Sequence, residues 1–136
     1  GDSMLFVYHL IDELDCGDAE GFMNDLRGMF ASVSYEMQME KEQNLHNALL
    51  ILMKLLSLEV RTEYRTSNGR IDLFISTDRY LYIIEIKLDK SAQEAIEQIN
   101  SKDYALPFMT DGKTIIKIGV NFSTKSRTIS DWIVEQ

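Results

Sequence analysis

The spacing of apolar positions changes along this chain, and the changes mark its elements. "MLFVYHLIDEL" (residues 4–14) and "DAEGFMNDLRGMFASV" (18–33) carry apolar residues at helical spacing. Asp18 stands where an N-cap belongs, and Leu26, Met29, Phe30 and Val33 form the second helix's inward stripe, which ends near Ser34. A longer helix is predicted over 38–57, with Leu45, Ala48, Leu49, Leu52, Leu55 and Leu56 on its buried face. Glu42 extends that face and His46 follows one turn later, so a carboxylate stands in line with leucines.

From Glu59 the period becomes two. "EVRTEYRT" alternates as a strand, "SNG" supplies a turn, and "RIDLFIS" and "YLYIIEIKL" flank "TDR" as a hairpin. Ser91 and Glu94 form a capping box that opens a helix through about Tyr104, with Ala92, Ala95, Ile96 and Ile99 inward. Pro107 follows, and "TIIKIGVNFS" and "RTISDWIV" read as two closing strands. The order of helices, three strands, a helix and two strands predicts a mixed α/β domain. Residues 1–136 form one domain on this reading, with 1–35 as a helical N-terminal extension packed on the core.

Within the hairpin, Glu85 and Lys87 interrupt an apolar run. Pairing Thr77 with Tyr80 across the turn carries Asp72 opposite Glu85 on the same face, with Cβ atoms about 5 Å apart. Lys87 is diagonal to Asp72 and about 6.7 Å along the strand from Glu85. Phe74 and Ile83 continue this face; Ile71, Leu73, Ile75, Tyr82, Ile84 and Ile86 make the other apolar too. Two opposed carboxylates in a core repel each other and resist desolvation. A divalent cation relieves both problems, because it prefers hard oxygen donors close together. The competing reading is a structural carboxylate–lysine pair at a strand end.

Composition narrows the classes. With 45% hydrophobic and 26% charged residues, the chain reads as globular. The longest apolar stretch, "ALLILMKLLSL", is broken by Lys54, which argues against a membrane span. One cysteine, Cys16, rules out an internal disulfide and fits a reducing compartment, so a cytoplasmic location is expected. The net charge of -8 argues against avid nonspecific nucleic-acid binding. That acidity is concentrated at one end: Asp2, Asp12, Glu13, Asp15, Asp18 and Glu20 have no Lys or Arg among them, and the rest of the chain is nearly neutral. Position 1 is Gly rather than Met, so the chain is expected to be a piece of a longer protein.

"GRID" at 69–72, then twelve residues, then "EIK" at 85–87 resembles the PD-(D/E)XK nuclease superfamily. With "QINSKDYA" and "DGKTIIKIGVNFS", the chain is similar to one bacterial branch, a nuclease-like C-terminal domain that follows an AAA-ATPase-like module. The resemblance runs from about "DAEGFMNDLRGMF" to "TISDWIV"; Ile71 replaces the proline of the family name, and no phosphate-binding loop occurs in these residues. It implies a restriction-endonuclease-like core, a central mixed sheet of about four to five strands flanked by helices. It also implies Mg²⁺ or Mn²⁺ as cofactor, nucleic acid (DNA in the first instance) as partner, and an ATPase-like domain upstream. Asp72, Glu85 and Glu42 would be the metal ligands, and Lys87 would contact the scissile phosphate or the attacking water. Gln98 matches a glutamine often found near such sites; His46 and Tyr104 are weaker candidates, each better explained as a packed or half-buried side chain. The alternative function is a catalytically silent nuclease-fold module that binds a partner, since a fold does not by itself fix an activity.

Overall fold

The computed structural model describes residues 2–37, 52, 61–62, 65–66, 69–70 and 72–136. Helices α1 (Asp2–Cys16) and α2 (Ala19–Met37) open the chain. Asp18 caps α2 as expected, its Oδ1 accepting the Gly21 N–H at 3.0 Å. Of the helix predicted over 38–57, only Leu52 is described, and it is helical and buried. The remainder, with Glu42 and His46, lies outside the described residues.

Strands β1 (Arg61–Thr62), β4 (Leu73–Ser76), β5 (Tyr80–Leu88), β6 (Thr114–Ser123) and β7 (Thr128–Glu135) form one sheet in the order β1-β4-β5-β6-β7. β5 and β6 are parallel and the other neighbours antiparallel, so the sheet is mixed. Strands β2 (Arg65–Thr66) and β3 (Gly69–Arg70) pair separately. The single strand predicted from Glu59 is thus divided between two sheets. The "RIDLFIS" strand is divided as well, because Asp72 is a bend between β3 and β4.

Alternation along β5 gives the sheet two apolar faces. Leu73, Ile75, Tyr82 and Ile84 face α1 and α2 in one core with Leu10, Leu14, Phe22 and Phe30. Phe74, Leu81 and Ile83 face α3 (Ala92–Ser101) through Ile96 and Ile99. The Tyr82 hydroxyl donates to the Leu14 carbonyl at 2.6 Å, a carbonyl in the last turn of α1 that also accepts the Gly17 N–H at 3.4 Å, and so ties β5 to α1. The α2 helix is tied to β7 by the Trp132 indole N–H on Glu20 and the Thr128 hydroxyl on the Arg27 carbonyl.

Helix α3 begins where predicted, with Ser91 accepting the Glu94 N–H at 3.0 Å. It ends at Ser101 rather than Tyr104, because Asp103 adopts φ 52, a left-handed conformation that a right-handed helix cannot continue. α3 lies unusually close to the sheet at Gly119, the β6 partner of Glu85. A Cβ there would stand 2.6 Å from both the Ala92 carbonyl oxygen and the Ile96 amide nitrogen. Those are backbone atoms that cannot swing aside. Gly119→Ala is therefore expected to cost about 2–4 kcal/mol by lifting α3 off the sheet. Urea midpoints check this; an unchanged midpoint would mean that α3 is free to move away.

Candidate active site

The close seat of α3 brings its side chains over the middle of β5. Glu85 is central in that strand, on the α3 face, and only 4% exposed. Gln98 donates from Nε2 to Glu85 Oε1 at 2.7 Å, and its Oε1 accepts from Lys87 Nζ. The two contacts fix the amide orientation, since an ammonium only donates and a carboxylate only accepts. Gln98 Nε2 also reaches the Tyr104 hydroxyl at 3.3 Å. Tyr104 is 3% exposed, so it is both a packed core residue and a boundary of this cluster.

Asp72 reaches the site differently from the expectation of a regular strand. The hairpin register is the expected one: Leu73 pairs with Ile84 and Phe74 with Ile83, leaving Asp72 next in line with Glu85. The ladder stops at Leu73, however, and Asp72 Oδ2 accepts the Ile86 N–H at 2.8 Å. A regular antiparallel ladder would give that N–H to a backbone carbonyl. The carboxylate takes the carbonyl's place, which ends the strand and anchors Asp72 against β5. Asp72, Glu85, Lys87 and Gln98 are thereby brought together.

Burial first, and the Asp72 charge second, push the Glu85 carboxyl up from 4.5 to about 8; Lys87 opposes this from the same strand. Glu85 Oε2 is buried and has no hydrogen-bond partner among the described residues. An orphaned carboxylate oxygen beside a second carboxylate is a donor set that a divalent cation would complete. The residues present fit such an ion.

The mixed sheet, with α3 on one face and α1 and α2 on the other, defines a restriction-endonuclease-like α/β domain. A family model of the PD-(D/E)XK nuclease superfamily matches residues 40–132, and the chain belongs to that superfamily. Over 82 residues it is 37% identical to "Uncharacterized protein in vnfD 5'region" of Azotobacter chroococcum mcd 1. That match covers 59% of this chain and 16% of the relative, so the chain spans a small part of the relative's length. No solved structure matches it significantly. PD-(D/E)XK nucleases typically use divalent metals. Among the described residues, no helix is long and apolar enough to cross a membrane.

Proposed function

We propose that this chain is a metal-dependent nuclease domain that hydrolyses phosphodiester bonds in DNA. The observation that carries the reading is Glu85: a buried carboxyl with one unpartnered oxygen, next to Asp72 and linked through Gln98 to Lys87. Asp72 and Glu85 would hold Mg²⁺ or Mn²⁺, with Glu42 as the expected further ligand. The bound ion would polarise the phosphate and lower the pKa of a coordinated water. Lys87 offers its ammonium to the negative charge that develops on the phosphoryl oxygens. Gln98 is a positioning residue, holding the Lys87 ammonium and Glu85 Oε1 in one arrangement. An ATPase-like module upstream in the same polypeptide is part of this reading, and the greater length of the relative leaves room for one.

The net charge of -8 favours the second reading, a silent nuclease-fold module that binds a partner, because such a surface holds polyanions poorly. Incubation with supercoiled plasmid, and with a single-stranded RNA oligonucleotide, separates the two. Mg²⁺-dependent nicking of the plasmid, stopped by chelation and lost in Asp72→Ala, is the expected result. Intact plasmid and RNA with both Mg²⁺ and Mn²⁺ would instead establish the silent module, and cutting of RNA alone would change the substrate.

A further inference from the structure

On the opposite side of the sheet from Glu85, a second cluster of ligating side chains lies between α1 and α2. His9 and Glu13 are one turn apart on α1, and Asp25 faces them from α2. His9 Nε2 is 3.1 Å from Asp25 Oδ2 and 3.7 Å from Glu13 Oε2. One ligand atom from each of the three lies within 4.8 Å of the other two. We propose that this triad is a binding site for a divalent transition-metal ion of the Zn²⁺ class, which clips α1 to α2 and is separate from the nuclease centre.

One observation beyond proximity points to a ligand. The Glu13 side chain is only 10% exposed, its carboxyl is turned toward His9 and Asp25, and its Oε1 has no hydrogen-bond partner among the described residues. In the absence of an ion, burial and the neighbouring Asp25 push the Glu13 carboxyl up from 4.5 to about 8. One imidazole nitrogen and two carboxylates suit Zn²⁺ better than Mg²⁺, which prefers oxygen donors alone. Three protein ligands leave a position for water, and the His9 side chain, 62% exposed, gives an ion access from solvent.

The family match begins at residue 40, so this site lies outside the matched segment and does not depend on nuclease activity. Its test is Zn²⁺ titration calorimetry and thermal unfolding of the whole chain as wild type, Asp72→Ala, His9→Ala and the two combined. The expected result is one equivalent of Zn²⁺ that Asp72→Ala retains with a rise in Tm, any second equivalent in wild type belonging to the Asp72 centre and lost in that variant. With His9→Ala added to Asp72→Ala, affinity should fall at least about tenfold and the Tm rise should disappear. Because His9 is largely exposed, its removal should leave the far-UV circular dichroism unchanged. The proposal is overturned if wild type binds no Zn²⁺, if all binding is lost in Asp72→Ala, or if adding His9→Ala to Asp72→Ala leaves the affinity unchanged. Mg²⁺ binding at Asp72 is then measured in the His9→Ala background, so that failure of either site is seen by itself.

Discussion

At about pH 8 and without a divalent cation, Glu85→Gln is expected to be about 4 kcal/mol more stable than the wild type. Burial and the Asp72 charge raise the Glu85 carboxyl from 4.5 to about 8 in the folded protein. At low pH both folded and unfolded states hold the proton, and the side chain carries no penalty. As pH rises from about 4.5 the unfolded chain releases its proton while the folded one keeps it. The unfolded state then binds fewer protons, so stability falls with rising pH and levels off above about 8, where the folded side chain ionises too and the buried anion's full cost is in place. Glutamine keeps the shape and can accept the Gln98 N–H, but brings no charge beside Asp72. Its advantage should be present at about pH 8 and absent at about pH 4, as read from urea midpoints. Glu13 is shifted in the same direction and is retained, so the variant keeps a shallower slope rather than none. Mg²⁺ should reverse the order, since only the wild type gains stability from the ion. An advantage of equal size at both pH values would reflect shape rather than charge and would overturn this account.

Lys87→Ala is expected to lower Mg²⁺-dependent cleavage by about 10³-fold while the protein stays folded. The ammonium is a fixed positive charge in a partly buried site, where its attraction to a phosphoryl oxygen is screened less than in water. Its removal also takes away the donor to Gln98 Oε1, so Gln98 is free to turn. The charge acts on the transition state more than on the bound substrate, so the loss should appear in kcat with little change in KM. Single-turnover cleavage of a labelled duplex is the measurement. A rate within about tenfold of wild type would remove Lys87 from the site.

Much of the centre could be read from the residues themselves. Alternation in "RIDLFIS" and "YLYIIEIKL" set the faces, and the turn between Thr77 and Tyr80 set the register, because a slip of one residue would turn every apolar side chain to the wrong face. The Ser91–Glu94 cap announced α3 for a local reason, a side chain satisfying a backbone N–H three residues away. The register that leaves Asp72 in line with Glu85 was legible, but the way Asp72 is held there was not. Nothing in its neighbours says that it would leave the ladder and take the Ile86 N–H, since that depends on the competing acceptors across the strand. Tyr104 had only weak support from sequence, because its contact with Gln98 depends on the chain turning back at Asp103.

The amino-acid sequence by itself determined the two N-terminal helices, the start of α3, the two faces of the hairpin and the register that leaves Asp72 in line with Glu85, all consequences of short-range periodicity and turn chemistry. The tertiary structure alone decided how close α3 sits over Gly119, and hence that Gln98 joins Glu85 to Lys87. It alone decided that Glu13 and Asp25 meet under His9 between two helices. Both are contacts between elements, set by packing distance and orientation, quantities that no local pattern of residues encodes.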